Sequence, residues 1–134
     1  HERMILPNGL SIYYKGLCWE DKKEEDENGF GSWWYFGKKG RQEVKQRIHG
    51  PKFAENGVQA IARILMTDAM LKIGERFRVC LTVHDEIVCC VKEEEADEAL
   101  KYMIEVMAVA PGWCKDLPLT GSGGVAKSYG EVEK

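Results

Sequence analysis

Residues 77–92 read Phe77-Arg78-Val79-Cys80-Leu81-Thr82-Val83-His84-Asp85-Glu86-Ile87-Val88-Cys89-Cys90-Val91-Lys92. Two apolar, β-branched runs, Val79–Val83 and Ile87–Val91, flank the polar triplet His84-Asp85-Glu86. No Gly or Pro interrupts them. Short runs rich in Val and Ile favour strands. The stretch therefore predicts a tight hairpin whose tip holds one imidazole and two carboxylates. A stiff hairpin fixes the geometry of such groups and leaves them in reach of solvent.

On both sides of this hairpin the periodicity turns helical. Over residues 53–73, Val58, Ile61, Ala62, Leu65, Ala69 and Ile73 fall at helical spacing and predict one apolar stripe. Gln59, Arg63 and Met70 lie on a face beside it. Asn56 is a cap candidate if the helix starts late, and Gly74 is a natural stop. Over residues 94–109, Ala96, Ala99, Leu100, Met103 and Met107 face one way, and Glu95, Asp97, Glu98, Lys101 and Glu105 the other. Pro111-Gly112 ends that second helix.

Further out, residues 4–19 read as extended, with a turn at Leu6-Pro7-Asn8-Gly9 and strand-like alternation of Leu10, Ile12 and Tyr14. Residues 20–32 are charged, then Gly-rich, and read as a solvated loop. Residues 33–49 resume strand character, with Gly37-Lys38-Lys39-Gly40 as the hairpin connection and Arg41–His49 as the return strand. Lys38, Lys39, Arg41, Lys45, Arg47 and Lys52 face only Glu43 in this stretch. They suit either a phosphate backbone or the wet face of an edge hairpin kept soluble by charge. From Leu117 a further strand-like piece leads to Gly121–Gly124 and a polar tail. The order of elements predicts an α+β fold, an antiparallel sheet with two main helices packed on one face, in a single domain over residues 1–134.

Composition bounds the function. The chain has 134 residues and a net charge of −3. That balance argues against strong stand-alone nucleic-acid binding, which relies on cations neutralising phosphates, so any DNA contact is expected to be local. No apolar run approaches the roughly 20 residues of a membrane span, and no secretory signal is visible. The five cysteines are odd in number and lack a C-x-x-C pair. They are expected to be reduced thiols, mostly core filler, in a cytoplasmic protein, and their spacing is wrong for zinc. The chain begins with His1 rather than Met, which suits either a missing upstream portion or a start at Met4.

Two carboxylates at a hairpin tip are hard oxygen donors of the kind that hold Mg²⁺. In two-metal phosphoryl transfer one hairpin cannot hold both ions, so a further carboxylate must come from a neighbouring strand. From the residues alone a polar β-turn is the competing reading, since Asp is common in turns.

The run Val83-His84-Asp85-Glu86-Ile87-Val88 resembles motif C of family A DNA polymerases, the palm hairpin that bears a catalytic carboxylate. The run Glu55-Asn56-Gly57-Val58-Gln59-Ala60-Ile61-Ala62-Arg63 resembles the helix that precedes it, especially in phage members. Gly123-Gly124-Val125-Ala126-Lys127-Ser128-Tyr129-Gly130 is similar to the tail of those polymerases, and Leu6-Pro7-Asn8-Gly9 to the segment after their fingers. The likeness covers most of the chain and fails in the charged loop near residues 20–32. It implies the C-terminal part of a polymerase palm, from an enzyme that adds deoxynucleotides to a primer 3′ end in phage DNA replication. By the same resemblance Asp85 is the catalytic, metal-associated carboxylate, and Glu86, the second catalytic and metal-binding residue, supports the site or sits near the primer end in a weaker role. His84 approaches the primer terminus, and Gln59 hydrogen-bonds the duplex in the minor groove. The implied cofactor is Mg²⁺, in a two-metal site completed by an aspartate outside this chain. The implied partners are primer-template DNA, deoxynucleoside triphosphates and the remainder of the polymerase: fingers, thumb and first palm strands. Where the family often has Asn, this chain has Glu55, with Asn56 one position off.

Because the other metal-binding aspartate and the nucleotide-binding fingers residues have no counterpart here, the chain alone is expected to extend no primer. The alternative is a separately encoded or remnant palm-like module that binds a partner protein or nucleic acid without catalysis.

Overall fold

The computed structural model describes residues 2–21 and 31–132. Most of the charged stretch read as a loop, residues 22–30, lies outside the described residues. The chain divides into two compact units, residues 1–61 and 62–134.

The first unit opens with a small hairpin, β1 (Arg3–Ile5) and β2 (Ser11–Tyr13), antiparallel with Met4 opposite Ile12. The Pro-Asn-Gly connection forms as expected. Gly9 donates its amide to the Leu6 carbonyl (2.9 Å), and Asn8 Oδ1 accepts from the Leu10 amide (3.1 Å). Asn offers the backbone this local alternative to a strand ladder.

A three-stranded antiparallel sheet follows: β3 (Lys15–Glu20), β4 (Ser32–Lys39) and β5 (Gln42–Ile48), in the order β3-β4-β5. Its second turn differs from the expected one. Lys39 pairs with Gln42, so the two-residue connection is Gly40-Arg41 and both lysines belong to the strand. Gly40 has φ +63°. A two-residue hairpin needs a positive φ at its first central position to match strand twist, and Gly40 supplies it without a Cβ penalty. The core of this unit centres on Tyr14, 2% exposed. Its ring meets Tyr35 edge-on and Phe53 at a tilt, each at 5.3 Å between centroids.

Helix α1 spans Gly50–Gly74, three residues earlier at its start than the sequence suggested. Its first turn is held by His49, whose Nδ1 accepts from the Lys52 amide at 3.3 Å. Pro51, in that first turn, lacks only an N–H that has no intrahelical partner there. Asn56 is not the cap; its Nδ2 donates to the Tyr14 hydroxyl at 3.2 Å. The expected stripe is also redrawn. Ile73 is buried as expected, but Val58 is 67% exposed, whereas Gly57 and Ile64, outside the expected stripe, are buried. Apolar residues occur all round this helix, so periodicity alone did not single out the buried face.

In the second unit, β6 (Val79–Val83) and β7 (Glu86–Cys89) form the expected hairpin, with a bulge between Val79 and Leu81. Helix α2 runs over Ala96–Met107, preceded by a 3₁₀ turn at Glu93–Glu95. Ile73, Ile87 and Val106 form the buried cluster, with Met66, Ala69, Met70, Phe77, Val79, Cys89, Tyr102, Met103 and Met107 packed on it. Arg76 lies over the rings of Phe77 (5.1 Å) and Tyr102 (5.0 Å) and pairs with Glu98. No strand forms near Leu117. Instead Gly121 runs against α2, where an added Cβ would stand 3.1 Å from the Ile104 carbonyl oxygen.

The architecture is α+β, with antiparallel sheets and two main helices. The described strands make three separate sheets of two, three and two strands, where the sequence reading anticipated one. No helix among the described residues is long and apolar enough to cross a membrane.

Candidate active site

The hairpin tip follows from the register. Val83 lies opposite Glu86, which leaves His84 and Asp85 as a two-residue turn. Both side chains are exposed, Glu86 is half-buried at the start of β7, and Ile87 is buried beneath it. Alternation along β7 thus turns Ile87 into the core and Glu86 to the other side. His84 has φ +51°, the only non-glycine among the described residues with a positive φ. The first central position of this turn needs the conformation that Gly40 supplies in the other hairpin. Here a residue with a Cβ adopts it, at a cost of about 1 kcal/mol. Non-glycine residues held this way concentrate at functional sites.

Glu86 does not stand alone. The Tyr129 hydroxyl donates to one of its carboxylate oxygens. This contact joins the tail to the hairpin across 43 positions of sequence. Sequence reasoning missed it. The Gly-rich approach to Tyr129 has no periodicity that would place it, and the only signal was the likeness of residues 123–130 to a polymerase tail.

Gln59 lies in the first unit, on the exposed side of α1, and its Nε2 donates to Glu55 Oε1 at 3.0 Å. Glu55 also pairs with Lys52 at 3.0 Å. The structure therefore brings His84, Asp85 and Glu86 together on one hairpin, with Tyr129 added, and places Gln59 in the other unit.

The carboxylates of Asp85 and Glu86 are oxygen donors of the type Mg²⁺ accepts, usually with one or two protein ligands and water or phosphate for the rest. Among the described residues no three His, Cys, Asp or Glu groups stand together as a metal cage. The donor chemistry of these two adjacent carboxylates fits Mg²⁺.

The cysteines divide by exposure. Cys18, Cys80 and Cys90 are exposed, so most of the five do not fill a core. Cys89 is half-buried, and burial, followed by the nearby Cys80 thiol, pushes its pKa up from the ordinary thiol value.

Comparison with protein families, with curated proteins and with solved structures finds no match.

Proposed function

We propose that this chain is the C-terminal palm portion of a family A, phage-type DNA-directed DNA polymerase, working as part of a larger protein. The observation that carries the reading is the hairpin tip. The stretch that resembles motif C forms a two-residue turn with exposed His84 and Asp85, and with Glu86 held from the tail. The palm arrangement of the sheets and helices belongs to the same proposal.

In this reading Asp85 offers its carboxylate oxygens to Mg²⁺. Glu86, anchored by Tyr129, supports that site. His84 meets the primer terminus, and Gln59 donates to the minor groove of primer-template DNA. Two bound Mg²⁺ ions, with an aspartate from elsewhere in the polymerase, would activate the primer hydroxyl and stabilise the departing pyrophosphate.

The test compares Asp85→Ala with the unaltered residue in the parent polymerase. Primer extension is expected to fall at least about a hundredfold, since metal-bound carboxylates support several kcal/mol of transition-state stabilisation. The melting temperature should stay within a degree or two, because the side chain is exposed. Undiminished extension would exclude a catalytic Asp85 and leave a module that acts by binding.

A further inference from the structure

The β3-β4-β5 sheet has two unlike faces. Directly opposed residues of antiparallel strands, and alternate residues along one strand, point to the same side. One side carries Tyr35 and Ile48, with Tyr35 meeting buried Tyr14 edge-on. The other carries Trp34, Phe36 and Lys38 of β4, opposite Arg47, Lys45 and Glu43 of β5. From β3, Lys15 stands opposite Phe36, and Glu20 opposite Ser32. Aromatic rings and cations thus share one face of a twisted, open sheet.

The rings are placed to be used. Phe36 is 42% exposed and lies across Gly16, where an added Cβ would come within 2.9 Å of its ring. Trp34 is half-buried, with the Lys45 ammonium 5.2 Å from its ring centroid. Two residues apart on one strand, Trp34 and Phe36 have Cα atoms about 7 Å apart, a spacing that suits two successive unstacked bases. Lys15 bonds Glu43 at 2.7 Å, and Lys45 bonds Glu20, each pair reaching over the central strand. These pairs are exposed and so worth little, and a phosphate can replace either carboxylate. Lys38 and Arg47 have no ion-pair partner among the described residues.

We infer that this face is a binding site for single-stranded nucleic acid, with bases stacked on Trp34 and Phe36 and phosphates taken by Lys38, Lys45 and Arg47. Stacking on aromatic side chains combined with a basic track is the chemistry by which unpaired strands are held. A duplex hides its base faces and has no use for the rings. The inference uses residues of β3, β4 and β5 only and does not depend on the role of Asp85. It also refines the expectation from net charge: the chain is acidic as a whole, while this face is basic.

The test is fluorescence anisotropy of the purified 134-residue chain with labelled oligo(dT) and oligo(U), competed by unlabelled single strand or by a blunt duplex of equal length. Single strands should bind and displace the probe better than the duplex, and the dT and U arms show which sugar is preferred. Trp34→Ala and Phe36→Ser should each weaken binding about tenfold, while Arg47→Ala should lower the salt slope by about 0.7. Phe36, being more exposed, guards against a Trp34 variant that misfolds. Equal competition by duplex, with Phe36→Ser unchanged, would reduce the effect to polyanion attraction and overturn the site. Absence of binding at about 50 mM salt would also overturn it.

Discussion

His84 is the residue where local preference and observed conformation part. Two hairpin turns in this protein need a positive φ at the same position; one uses Gly40, the other His84. Replacing His84 by Gly and by Ala removes the imidazole in both cases, but only Gly removes the Cβ strain. His84→Gly should therefore be more stable than His84→Ala by about 1 kcal/mol in urea titrations. Equal midpoints would show that the turn carries no strain. Cys89 gives a second prediction at this scale. Its thiol titrates above the ordinary value because burial and Cys80 disfavour the thiolate. Near pH 8, iodoacetamide should modify Cys89 more slowly than exposed Cys90, read by peptide mass spectrometry. The sign for stability follows. The unfolded chain loses this proton at lower pH than the folded one, so the contribution is complete below the ordinary thiol pKa. It is lost as pH rises through the folded value.

Among the elements, the joint between the end of α1, the β6-β7 hairpin and α2 holds the candidate catalytic tip in place. Ile73 is fully buried there, against Ile87 and Val106. Truncation to Ala should cost about 3 kcal/mol, as the lost transfer energy and the residual cavity add. Its checkable form is a lowered urea midpoint with an unchanged slope. A loss under about 1 kcal/mol would mean that the methionines around the cluster repack into the space. Much of this element was legible beforehand. The hairpin, the two helices, Gly74 as a stop and the inward Ala99 and Met103 all follow from periodicity. What was not legible has specific causes. Val58 and Ile64 are equally apolar, and only tertiary contact decides which is buried. The turn at Gly40-Arg41 moved because Lys38 and Lys39 pair in the ladder with Glu43 and Gln42, which no local propensity announces.

At the scale of the whole molecule, the sequence indicated the class of fold and the residues at the hairpin tip, but not the number of sheets or the pairing of their strands. Those depend on which strand edges meet, and strands as short as β1 and β2 carry too few residues to specify a partner. The candidate site was half visible in the same way. His84, Asp85 and Glu86 are neighbours in the chain, whereas Tyr129 becomes one only through folding. The basic, aromatic face of β4 and β5 was visible as a run of lysines and arginines. Its pairing with Trp34 and Phe36 needed the register. The Glu86–Tyr129 contact has a consequence for biosynthesis. The hairpin can fold once residue 89 has left the ribosome, but its glutamate acquires the tail's phenol only after residue 129 has followed. A nascent chain therefore passes through a stage in which the hairpin is complete but Glu86 has not yet met Tyr129, and that interval lasts until residue 129 emerges.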